Sequence, residues 1–265
     1  MKFAIQSKWL MSDDYNIMFE NAKSIGFDAV EITYFDNVFD GKVVDDVKSA
    51  MNKTKVPVSA LCGGYRNWIG DFDDNKRLEA VDGIKKSLEN LASIGAVGLI
   101  APAAYGMATK RLPPYTVARS VEDDKRVLVD SLSRIAETAE KYGMYLLFEP
   151  LNRYEDHMIN RVEQAVEIID LVGSKYIRVM ADFYHMNIEE ADISVTISKY
   201  KDYIKYYHLS DSNRHQPGLG HINFKTYLGL INSFGFDGFL SIECALYGEG
   251  REPLEKSISY LKSIL

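Results

Sequence analysis

Eight short apolar runs alternate with stretches of helical periodicity along this 265-residue chain. The runs are Phe3–Gln6, Phe27–Thr33, Val58–Cys62, Val97–Ala101, Met144–Phe148, Tyr176–Ala181, Tyr203–Leu209 and Phe239–Ile242. Each has the length of one buried strand. Between them apolar residues return at threes and fours: Ile17, Met18, Ala22 and Ile25, then Leu78, Val81, Leu88, Leu91 and Ile94, then Val127, Leu128, Leu132, Ile135 and Ala139. The same reading predicts helices over Val43–Lys53, Val162–Val172, Ile188–Lys199, Phe224–Phe234 and Glu252–Leu265. Gly26, Gly95, Gly143 and Gly235 stand where left-handed helix ends need glycine. Ser12, and Asn160 with Glu163, are the expected N-terminal caps.

Strand and helix in strict alternation imply a parallel sheet. Eight units in this length predict an α/β fold closed as a (β/α)8 TIM barrel, one domain over residues 1–265. A doubly wound open sheet is the alternative, but no GxGxxG follows the first strand. A net charge of -7 argues against non-specific nucleic-acid binding, which relies on Lys and Arg. The two cysteines, Cys62 and Cys244, form no CxxC pair and suit a reducing compartment. No apolar run approaches the ~18 residues of a membrane span, and a cytoplasmic enzyme is expected.

The chemistry gathers at strand ends. Met144–Phe148 runs into Glu149-Pro150; the sixth to eighth strands end near Asp182, His208 and Glu243. In a barrel such positions converge on one face. Singly, each acid reads as a helix cap or a structural ion pair, and His208 as a hydrogen-bonded core histidine. Together, three carboxylates and an imidazole at one spot would need a divalent cation to neutralise them. Oxygen-rich ligation with one nitrogen suits Mn2+ or Mg2+; Co2+ and Zn2+ also bind such sets. Glu155, His185 and Arg214 lie nearby in sequence, and Arg214 offers a fork of donors to vicinal oxygens.

The segments EPLNRYE, DFYHMNIEE and HLSDSNR together resemble the xylose isomerase-like TIM-barrel superfamily, and within it the ketose 3-epimerases of the tagatose/psicose group. The resemblance covers the C-terminal half. It implies that Glu149, Asp182, His208 and Glu243 bind the metal, with Mn2+ expected, and that Glu155, His185 and Arg214 hold the O1 to O3 end of a sugar. It also implies C3 epimerisation of a ketose through a cis-enediolate, with Glu149 and Glu243 as the acid/base pair on opposite faces. Relatives of this kind are commonly dimers or tetramers.

The N-terminal half matches less specifically. Glu31 stands at the second strand end, Cys62-Gly63-Gly64 would admit substrate closely, and Trp9, Tyr65 and Trp68 are candidates for a wall over a sugar face. Pro102–Arg119 matches no part of the family pattern. The same scaffold hosts aldose–ketose and inosose isomerases or dehydratases, hydroxypyruvate isomerase and sugar-phosphate epimerases, and fold alone does not choose among them. Apurinic endonucleases share the barrel but need several zinc ions and a basic groove. A non-catalytic sugar-binding barrel is the third class.

Overall fold

A computed structural model describes residues 1–35, 37–107 and 118–265. Most of the Pro102–Arg119 loop singled out above lies outside the described residues. Eight strands form a closed barrel in sequence order: β1 (Lys2–Gln6), β2 (Ala29–Tyr34), β3 (Val58–Gly63), β4 (Gly98–Pro102), β5 (Tyr145–Glu149), β6 (Ile177–Asp182), β7 (Ile204–Leu209) and β8 (Phe239–Ile242). Every pairing is parallel, and closure sets Ile5 of β1 beside Ile242 of β8.

Around it lie α1 (Tyr15–Ile25), α2 (Gly41–Thr54), α3 (Asp74–Ala92), α4 (Val121–Tyr142), α5 (Val162–Val172), α6 (Phe183–Glu189), α7 (Ile193–Tyr200), α8 (Phe224–Ser233) and α9 (Glu252–Ser263). No helix among the described residues is long and apolar enough to cross a membrane.

Side chains alternate across each strand, so one strand can feed two cores. Leu146 and Phe148 face the helices and join Leu88, Leu128 and Leu132 in the outer core. Leu147 points inward and packs with Ala60, Cys62, Ile100, Met180 and Tyr206 in the barrel lumen. The same alternation carries Glu149 and Asp182, two residues beyond Leu147 and Met180, to the C-terminal mouth.

Some local expectations are corrected. Asp14, not Ser12, caps α1 by accepting from Asn16 N; Ser12 Oγ instead accepts from Asp14 N. At α5 the reciprocal partner is Gln164, whose side chain accepts from the amides of Asn160 and Arg161. Glu163 is turned outward to Lys199 and Tyr200. The helix expected over Ile188–Lys199 is two helices, because Glu190 is extended and Asp192 starts a new one by capping at Val195 N.

The β3 exit depends on two glycines. Gly63 and Gly64 have φ of +94° and +81°, and a Cβ on Gly63 would lie 2.4 Å from Tyr34 O. Gly63→Ala is therefore expected to cost about 1–3 kcal/mol or more of stability. Urea denaturation measures it, and an unchanged midpoint would contradict the backbone assignment.

Candidate active site and metal centre

Ligand atoms of Glu149, Asp182, His208 and Glu243 all lie within 4.8 Å of one another at the mouth of the barrel. Glu149 and Asp182 are the last residues of β5 and β6, His208 is the penultimate residue of β7, and Glu243 follows β8. Asp182 also caps α6, its Oδ1 accepting from Tyr184 N at 2.6 Å, which leaves Oδ2 facing the cluster.

Beneath the quartet lies a polar network inside the barrel. Glu31 is fully buried and accepts from Gln6 Nε2 at 2.8 Å and from Tyr206 OH at 2.8 Å. Its Oε2 lies 2.9 Å from His208 Nε2. A carboxylate only accepts, so His208 carries its proton on Nε2 and turns Nδ1 to the cluster. Nδ1 lies 2.9 Å from Glu243 Oε2 but has no aligned hydrogen-bond partner. A carboxylate fixing the far nitrogen of an imidazole is the arrangement that orients metal-bound histidines. A buried imidazole nitrogen facing three carboxylates fits a divalent cation that takes the place of its proton.

Arg214 closes the cluster from above, donating to Asp182 Oδ2 at 2.7 Å and to Glu243 Oε2 at 3.1 Å. Its φ of +63° is rare for a residue with a side chain. The loop enforces it: Arg214 N donates to Asp211 O, and Ala245 N to Arg214 O. Buried Asp211 in turn accepts from the amides of Ser212, Gly218 and Ile222.

His185 Nδ1 faces the backbone N–H of Asn152 at 3.1 Å and its side-chain amide at 2.8 Å. The proton therefore sits on Nε2, which points between Glu149, Asp182 and Glu155 at 3.7, 3.7 and 3.9 Å and has no partner of its own. Glu155 is held by Asn152 Nδ2 at 3.0 Å. The four candidate metal ligands and the three candidate sugar contacts thus meet at one mouth. Gln6, Tyr206 and Asn152 were not foreseen. Asn152 stands inside the EPLNRYE segment, and Gln6 ends a strand, so both carried a local signal; Tyr206 carried none.

The electrostatics split the two glutamates. Burial and the charge of Glu243 push the Glu149 carboxyl well above its usual range. Burial pushes Glu243 up too, but His208 and Arg214 overcome it and hold that carboxylate well below. Burial lowers His208, yet Glu31 and Glu243 outweigh it and keep the imidazole protonated well above its ordinary value. Burial depresses His185. An imidazole nitrogen must lose its proton to bind a metal. Binding of a divalent cation, with Mn2+ as the probe, is therefore expected to expel the Nδ1 proton of His208, and affinity should rise with pH. Calorimetry in buffers of different ionisation heat checks it; pH-independent affinity would contradict a protonated His208.

Above the cluster opens a cavity of about 860 Å3, with Glu149, Glu155, His185, Arg214 and Glu243 in its floor and Tyr65 and Trp68 in its wall. Trp9 is not part of that wall; it packs against the outer core.

The family described as xylose isomerase-like TIM barrel matches residues 19–264, and the chain belongs to it. Within that family it is an isomerase, of the epimerase kind. The 3-dehydro-D-guloside 4-epimerase of Escherichia coli (strain K12) is 35% identical over 268 residues, 99% of this chain and 100% of that protein. The crystal structure of 3-keto-D-glucoside 4-epimerase from E. coli, apo form, superposes with a TM-score of 0.93, covering 99% of each chain. The ketose 3-epimerase of Arthrobacter globiformis is 27% identical over 221 residues, 83% of this chain and 73% of that protein.

Proposed function

We propose that this chain inverts the hydroxyl-bearing carbon beside a sugar ketone, with Glu149 and Glu243 as the acid/base pair. The observation that carries the reading is geometric: the carboxylates of Glu149 and Glu243 meet Asp182 and His208 in one cluster, all within 4.8 Å, and both line the cavity above it. A divalent cation held by Glu149, Asp182, His208 and Glu243, with Mn2+ expected from the donor set, would polarise the ketone and acidify the neighbouring C–H.

The protein's own groups do the rest. One glutamate takes the proton from one face; the C–H electrons form the C=C bond of a cis-enediolate, and the carbonyl electrons move to its oxygen. The other glutamate gives a proton to the opposite face. Arg214 and the Nε2–H of His185 donate to the oxygens that gain charge, and Glu155 accepts from a sugar hydroxyl. Nothing is oxidised or reduced overall.

The ketone's place in the sugar has two readings. The sequence motifs favour a ketose inverted at C3. The full-length likeness to enzymes named for 3-keto-glucosides and 3-dehydro-gulosides favours inversion at C4 of a 3-keto-glycoside, and we adopt it. The reading goes with a small-molecule sugar substrate, a place in the cytoplasm and assembly as a dimer or tetramer.

Turnover in D2O with Mn2+ tests it. Deuterium at C4 of a 3-oxo-glycoside, with inversion, is the expected result; deuterium at C3 of a ketose would transfer the activity to the other substrate. Label only at C1 or C2 of a ketose would mean aldose–ketose isomerisation. No label in any of them would end the proposal.

A further inference from the structure

Three aromatic residues at the mouth take no part in the chemistry above. Phe35 and Tyr105 both line the cavity and are 54% and 55% exposed. Trp68 stands between buried Tyr65 and Tyr105, its ring centroid 6.2 Å from the first and 6.1 Å from the second. The result is a stair of rings climbing from the buried wall to solvent. Isolated exposed apolar side chains need no explanation, but several aromatic residues lining one cleft mark a binding groove.

The stair is also held in place. Gly70 N donates to Ala103 O, joining the loops after β3 and β4. Ile69 O accepts from Ser131 Oγ of α4, and Asn67, at φ +60°, donates to Glu79 Oε2 of α3. A Cβ on Gly70 would come within 2.7 Å of Met158 Sδ and 2.9 Å of Ala103 O, so the loop that carries Trp68 packs without slack. Such preorganisation lowers the cost of binding a ring against it.

The cavity's volume of about 860 Å3 belongs to the upper half of the range that holds drug-sized ligands, roughly 300–1,000 Å3. The polar floor engages the reacting end of one sugar. Phe35, Trp68 and Tyr105 line the same cavity with ring surface and carry no group that could take or give a proton to carbon.

We propose that Trp68, Tyr105 and Phe35 form an outer subsite for a ring attached through the glycosidic bond, so that the substrate is a glycoside carrying a cyclic aglycone. This rests on the keto-glycoside reading above. Either the apolar face of a second pyranose or an aryl group presents the flat C–H or π surface that these rings accept.

The test uses the Mn2+-loaded enzyme with the 3-oxo forms of methyl glucoside, phenyl glucoside and a glucose disaccharide, reading C4 deuteration. The ring-bearing substrates are expected to exceed the methyl glycoside in kcat/KM by roughly tenfold, the scale of one or two aromatic contacts. Tyr105→Ala, whose side chain is too exposed to matter for folding, should pull that ratio towards one, and Trp68→Ala further. Preference for the disaccharide assigns the subsite to a second sugar, and preference for the phenyl glycoside to an aryl group. Equal kcat/KM for all three in the wild type would overturn the subsite and leave the reaction standing. If none is labelled, the reaction itself fails. Calorimetric binding of the unreactive parent glycosides then decides the subsite alone: ring preference lost in Tyr105→Ala upholds it, and equal affinities overturn it.

Discussion

Glu149→Gln and Glu243→Gln are each expected to lower epimerisation by about 10²–10⁴-fold, the range in which positioned acid/base groups act. Glutamine keeps the shape and one carbonyl oxygen but can neither take the proton from carbon nor return it. The two variants should also differ from each other. Each retains one working glutamate, so any residual deuterium exchange is expected in one epimer only and without inversion. That asymmetry reports which face each residue serves. Mn2+ affinity must be measured beside the rate, because both residues belong to the proposed ligand set; a rate loss that disappears at saturating Mn2+ would reassign the residue to metal binding. Near-wild-type inversion in either variant would refute its role.

The second large effect concerns a residue beneath the site. Glu31→Ala is expected to weaken Mn2+ binding by roughly 10–100-fold, as loss of a group that orients a ligating histidine does. His208 would lose the acceptor that keeps its Nε2 protonated and its Nδ1 turned to the cluster. Tyr206 OH and Gln6 Nε2 would lose a partner in a water-poor lumen as well. Removing one member of such a buried charged network costs about 3–5 kcal/mol. Glu31→Gln should show a milder version, because its carbonyl oxygen still accepts while its amide N–H2 faces donors. Calorimetric titration of Mn2+ and urea denaturation separate the two losses. Wild-type metal affinity in Glu31→Ala would show that His208 does not depend on it.

The carboxylates and the imidazole at the mouth were legible because strand geometry is local. Once a run such as Met144–Phe148 is recognised as a strand, the two-residue alternation that points Leu147 into the lumen also delivers Glu149 to its rim. Asp182 and His208 follow by the same count. Errors arose where a side chain had a competing partner a few residues away. Asp14 outcompeted Ser12 as the cap of α1, and Gln164 took the place given to Glu163. Propensity and spacing cannot rank such neighbours, since each choice differs by a fraction of one hydrogen bond.

What escaped was everything that depends on closing the ring. Gln6 donates to Glu243 across 237 residues of chain, and Glu31 meets His208 across 177. Neither contact has a period, because each comes from two strands whose separation is set by the barrel, not by the residues between. The order of strands and helices and the four converging candidate ligand positions were written into local pattern: hydrophobic periodicity acts over a few residues and survives in one dimension. The orientations of His185 and His208, the opposite proton affinities of Glu149 and Glu243 and the place of Phe35 and Tyr105 at the mouth came only from folding. Hydrogen bonding, desolvation and Coulomb interaction depend on distance in space, and that distance exists only once the barrel is shut.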